Sequence, residues 1–179
     1  SLTGDINWAG DEQGGVNPNH LIGQIASQRL NLGMVLPEAL PQASLTAALN
    51  FDVQLRDTST LGSAAMRLAI DPSSSWNGQP LEGHLNFQAL NTDTGNAVVP
   101  APEFVEIKNL DTDLRLGANQ LKASGGLSFQ RNKIDLVLNA PRLADFWPDL
   151  DGAAELTAVL DGSLAQHQLE FQGRYDAGV

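Results

Sequence analysis

Between Ser44 and Arg56 the chain reads SLTAALNFDVQLR, and its positions sort into two sets. Leu45, Ala47, Leu49, Phe51, Val53 and Leu55 fall on one; Thr46, Ala48, Asn50, Asp52, Gln54 and Arg56 fall on the other. Side chains alternate across a β-strand, so this stretch predicts a strand with one apolar and one wet face. The same alternation returns along the chain. Met66, Leu68 and Ile70 share a face, as do Leu81, Leu85, Phe87 and Ala89, with Glu82, His84, Asn86 and Gln88 opposite them. Further runs are Leu110, Leu114 and Leu116; Leu121, Leu127 and Phe129; Ile134, Leu136 and Leu138; Leu156, Ala158 and Leu160; and Leu169, Phe171 and Tyr175.

Turn-forming stretches separate these runs: DTSTLGS, DPSSSWNGQP, NTDTGN, LGAN, QRNK and LDGS. Short strands with brief connections predict an all-β antiparallel meander. Two places favour helix instead. NPNHLIGQ offers Asn17 as an N-cap and Pro18 in a first turn, and APRLADFWPDL allows one helical turn before Pro148. A looser repeat joins LTGDINW, LTAALNF, LEGHLNF, ASGGLSF and AQHQLEF, each with an aliphatic residue fifth and an aromatic seventh. Units of this length are compatible with stacked repeats, and equally with chance matches among amphipathic strands.

Charge then narrows the classes of partner. With 21 Asp and Glu against 10 Lys and Arg, the formal net charge is −11. Such a surface repels nucleic acid and gains nothing from anionic headgroups, so contact with lipid would have to be apolar. There is no cysteine, which removes disulfides, thiol catalysis and thiolate metal ligands. No apolar run approaches the roughly 20 residues of a membrane-spanning helix. The chain opens in mid-pattern, so 1–179 is read as one β-rich segment of a larger repetitive protein, with any anchor or export signal outside it.

Candidate chemistry is sparse. His20, His84 and His167 have no partner at metal-ligand spacing, and His84 and His167 occupy polar-face positions. The pairs Asp111/Asp113 and Asp149/Asp151 lack the rest of a calcium loop, and ASGG at 123–126 lacks the helix and lysine of a phosphate loop. The serines of DPSSSWNG have no nucleophile-elbow context. No enzymatic activity, metal or cofactor is expected.

What needs explaining is the apolar face. Burying one large aliphatic or aromatic side chain stabilises by about 1.5–3 kcal/mol, so the 45–55 strand alone would forgo about 10 kcal/mol in water. Either two sheets face each other in a sandwich, the commoner outcome for half-buried antiparallel sheets, or one sheet curls around something that is not protein. The apolar runs are rich in Leu, with only six Phe and one Tyr in the chain. A smooth surface of that kind suits flexible acyl chains, which need apolar contact without directional bonds.

A family resemblance bears on this choice. At LTGDINWAG…VNPNHLIGQIASQRLNLGM and at IDLVLNAPRLADFWPDLDGAAELTAVLDGSL the sequence resembles the TamB family, the inner-membrane-anchored subunits of the translocation and assembly module, related to AsmA-like proteins. Leu143, Pro148, Leu150 and Gly152 match its recurrent turn, and Asp161, Gly162, Ser163 and Leu164 its next punctuation. The resemblance implies the periplasmic portion of a Gram-negative envelope protein whose sheet curls, taco-like, into an elongated open groove with an apolar concave face. It implies shielding of phospholipid acyl chains between the inner and outer membranes, support of outer-membrane protein and autotransporter assembly, and an Omp85-type barrel partner of the full-length protein. Its functional surface is a stripe, which places Leu45, Leu49, Phe51, Val53, Leu55, Met66, Leu68 and Ile70 in the expected groove. Leu85, Phe87, Leu114, Leu116, Leu127, Phe129, Leu136 and Leu138 complete it. The alternatives are a groove that chaperones β-strands of outer-membrane protein precursors, or a closed sandwich with a structural or adhesive role.

Overall fold

The computed structural model describes residues 1–10, 15–31, 42–56, 60–91, 105–128, 132–163 and 166–177. Ten strands follow one another: β1 (Leu2–Gly10), β2 (Val16–Asn31), β3 (Ala43–Leu55), β4 (Leu61–Trp76), β5 (Gln79–Asn91), β6 (Val105–Leu116), β7 (Asn119–Leu127), β8 (Asn132–Ala140), β9 (Ala153–Gly162) and β10 (His167–Asp176). They form a single sheet in sequence order, each antiparallel to its neighbours, and β1 and β10 remain its two unjoined edges. The all-β meander read from the alternation is therefore the architecture.

Short hairpins enforce that order. Asn77 and Gly78 both hold positive φ, 51° and 75°, the backbone of a two-residue turn whose twist matches the flanking strands β4 and β5. Gly117 at φ 57° opens the equally short link from β6 to β7. Strand pairs are interrupted by register shifts, as between Ile70 and Ser74 or between Ser27 and Leu30, and such bulges strengthen coiling. Gly83 marks a tighter approach, since at φ 138° any β-carbon would run into the Asp113 carbonyl oxygen of β6. Bulges and this close approach bend the single layer into an open curl.

The helix expected from Asn17 does not form. Its side-chain oxygen does accept the backbone N–H of Asn19 at 3.0 Å, the local bond an N-cap makes. The following residues nevertheless extend, because β2 has a strand on each side: Leu21 lies opposite Trp8 and Val53, and Ile25 opposite Gly4 and Leu49. Tertiary pairing outweighs the local cap. The second helical expectation corresponds to one 3-10 turn, Leu143–Asp145, in the connection between β8 and β9.

Four of the five repeat matches begin within β1, β3, β5 and β7, strands that all run in the same direction. The unit behind them is thus a β-hairpin. The fifth match belongs to β10, which runs the opposite way, so it breaks the series.

The pattern alone favoured a sandwich, and the interior rules it out for the described residues. Their buried apolar side chains are only Ala43, Ala89, Leu116 and Ala140, and the largest fully buried ones are polar, Asn119 and Ser74. Two facing sheets would bury Leu and Phe completely. Among the described residues no second sheet exists, and away from the segment 141–152 the apolar residues are sheltered by their neighbours within one layer.

Candidate functional site

Directly opposed residues of an antiparallel sheet project from the same face, so the register assembles the apolar positions into rows. One row crosses all ten strands: Gly4, Ile25, Leu49, Leu68, Leu85, Thr112, Ala123, Leu136, Ala158 and Phe171. Its neighbour also does: Leu2, Ser27, Ala47, Ile70, Gly83, Leu114, Leu121, Leu138, Leu156 and Gly173. A third joins Trp8, Leu21, Val53, Ala64, Ala89, Ile107 and Leu127 from β1 to β7. Between the first and third lie Ile6, Gly23, Phe51 and Met66, with Phe87 opposite Met66.

The expected stripe therefore comes together on one face. Leu45 stands opposite Leu30, Leu55 opposite Leu61, and Leu116 opposite Leu81. Phe129 lies outside the described residues. Sequence reasoning left β1 and β2 out of the site, although Leu2, Ile6, Trp8, Leu21 and Ile25 extend the same rows. The signal was present in the spacing of Leu2, Ile6 and Trp8. At the other edge Leu169 and Phe171 continue the face at 60% and 73% exposure.

Polar members of this face are few and mostly engaged. The Ser27 hydroxyl donates to the Leu45 carbonyl and accepts the Ala47 N–H, both at 3.1 Å, and the Ser74 hydroxyl serves Thr46 in the same manner. Both serines thereby satisfy backbone groups that register shifts leave without a ladder partner. Thr112 is different: its hydroxyl is buried with no hydrogen-bond partner among the described residues.

The opposite face carries the charge. His20 Nε2 sits 2.8 Å from Asp52 Oδ1, and His84 Nε2 lies 3.0 Å from Asp111 Oδ2. Asp113 accepts a hydrogen bond from the Gln120 amide at 2.7 Å, with Lys122 at 3.7 Å and Arg115 at 3.6 Å. That amide, aided by the nearby Lys122, Arg115 and His84 charges and opposed by partial desolvation, holds the Asp113 carboxyl below its ordinary range. Asp71 is lowered too, by hydrogen bonds from the side chain and backbone of Ser73. Exposed pairs of this kind contribute little stability, and their role is to keep the outer face wet. Among the described residues no three His, Cys, Asp or Glu side chains cluster closely enough to hold a metal ion.

One end of the apolar face has a roof. The segment 141–152 crosses back from β8 over the ends of β4 to β7, where Phe146 accepts the Trp76 indole N–H at 2.8 Å and Ala144 accepts the Asn77 amide at 3.0 Å. Asn119, 1% exposed, anchors it from below. Its amide nitrogen donates to the Leu116 carbonyl and to Asp145 Oδ2, and its oxygen accepts the Arg142 N–H. Trp147 meets Trp76 edge-on at 5.6 Å. Beneath this strap is an apolar cavity of about 260 Å³.

A family model described as "TamB, N-terminal domain" matches residues 23–177, from the middle of β2 to the residue after β10. The chain belongs to the TamB family. No curated protein and no solved structure matches it. The strap that roofs this TamB segment is built from the turn that carried the family resemblance, since Leu143, Pro148, Leu150 and Gly152 all lie within it. TamB proteins belong to the cell envelope, and no helix among the described residues is long and apolar enough to cross a membrane.

Proposed function

We propose that this TamB segment is a non-catalytic groove that shields phospholipid acyl chains in the periplasm, as part of lipid movement between the inner and outer membranes. The observation that carries the reading is the pair of rows running without interruption across ten strands, on a face that no second sheet covers among the described residues. Such a face is costly in water at about 25 cal/mol per Å² of apolar surface, and a mobile hydrocarbon chain relieves that cost without needing a fixed geometry. The acidic, hydrogen-bonded outer face keeps the groove soluble and gives phospholipid headgroups no cationic trap. The full-length protein would act with an Omp85-type outer-membrane barrel.

A photo-crosslinking residue at Phe51 or Leu136 tests the reading in cells. Phospholipid should be captured from these two positions and not from Asp52 on the outer face. Equal capture from both faces would count against the groove. Leu49→Glu supplies a second test, with lipid capture falling while the purified segment keeps its β-sheet circular dichroism.

A second reading gives the groove protein cargo. It is favoured by the outermost strands β1 and β10, each paired on one side only among the described residues, whose main-chain groups would accept an added strand from an outer-membrane protein precursor. Crosslinks from β10 to nascent outer-membrane polypeptide in place of lipid would select it.

A further inference from the structure

We propose that the cavity under the 141–152 strap seats the methyl end of an unbranched acyl chain lying in the groove. This assignment rests on the lipid-shielding function above and adds a position and a polarity to it. The sheet side of the cavity is Trp76, Leu81, Leu114 and Leu121, and its roof is Phe146 and Trp147 of the strap. Leu114 and Leu121 also belong to the row that crosses the whole sheet, so the cavity adjoins the groove.

The chemistry of the lining selects the occupant. The Trp76 N–H is already given to the Phe146 carbonyl, and the Asn119 amide is spent on Leu116, Asp145 and Arg142. Arg115 and Gln120 also border the cavity, but their side-chain nitrogens are engaged with Asp113 on the outer face. Water needs two to four polar partners and finds none free among these groups. A polypeptide would bring backbone N–H and C=O groups that also go unpaired, at a cost of about 1–3 kcal/mol each. A hydrocarbon end requires no such partner. At ~30 Å³ for each water-sized group, 260 Å³ has room for roughly nine, the scale of a chain terminus and not of a headgroup with its glycerol. Nor does the strap fill the space itself: Trp147 borders the cavity and stays 43% exposed.

The tryptophans provide the readout. The chain has three, and Trp8 lies in a row that crosses β4 at Ala64, 12 residues from Trp76 along that strand, or about 40 Å at ~3.3 Å per residue. Trp8→Phe leaves Trp76 and Trp147 as the only reporters, and Trp8 is exposed enough for the fold to survive its change. Hexadecanoate brominated at its terminal carbon should quench this variant several-fold more than hexadecanoate brominated beside the carboxylate. Leu121→Phe, which occupies the cavity, should remove that difference in the Trp8→Phe background, while Trp8 is still quenched in the Leu121→Phe single variant. Equal quenching by the two acids, or stronger quenching from the carboxylate end, would overturn the cavity assignment and leave the groove standing. Absence of quenching at all three tryptophans would overturn the groove reading together with it.

Discussion

Phe51 lies over Gly23, its directly opposed neighbour across β2 and β3, so closely that a β-carbon at Gly23 would come 2.5 Å from the ring and 2.8 Å from the Asp5 carbonyl oxygen. The ring takes the place of the side chain that Gly23 lacks and screens backbone that would otherwise face the groove floor. Gly23→Ala cannot be absorbed by moving the ring alone, because the Asp5 oxygen is main chain on the far side. We expect a loss of about 1–3 kcal/mol, measured as a lower urea midpoint with unchanged slope.

Thr112 sits at the middle of a ten-strand apolar row with a buried hydroxyl that has no partner among the described residues. Replacing an unsatisfied polar group with an apolar one of the same shape is neutral or stabilising. Thr112→Val should therefore raise stability by up to about 1 kcal/mol in urea unfolding. A clear loss would mean that the hydroxyl is satisfied by water or ligand.

Asn119 ties the strap to the sheet. Asn119→Ala leaves Asp145, which is 3% exposed, without its amide donor and frees the Arg142 N–H as well. Each unsatisfied buried group costs about 1–3 kcal/mol, so the variant should lose several kcal/mol or release the strap. Release would appear as a red shift and faster iodide quenching of Trp147 fluorescence, read in the Trp8→Phe background.

Acid should act on the outer face. The folded carboxyl of Asp113 lies below its ordinary value of 3.8, so between the two values the unfolded chain binds more protons than the folded one. Its contribution is complete above the unfolded value and is lost as pH falls through the folded one. Gln120→Ala removes the largest cause, and carboxyl-carbon NMR titration should show Asp113 returning upward toward 3.8.

The alternation of apolar and polar residues was enough to read the strands from β3 onward, the antiparallel meander and the face their apolar residues share. This is because a strand's period of two is local and the hairpin turns, such as Asn77–Gly78, are written in the chain. The same local grammar misread Asn17, where a cap-like bond exists but pairing on both sides of β2 holds the backbone extended.

The tertiary structure decided what the period of two cannot contain. A sandwich and a single curled sheet share one alternation, and what separates them is the absence of fully buried Leu and Phe among the described residues. Rows such as Leu49, Leu68 and Leu85 depend on register, which bulges shift strand by strand. The strap depends on contacts such as Trp76 to Phe146, 70 residues apart. The sequence of Leu45 to Leu55 thus determined that a surface would be apolar, and the sheet decided that it would be left open.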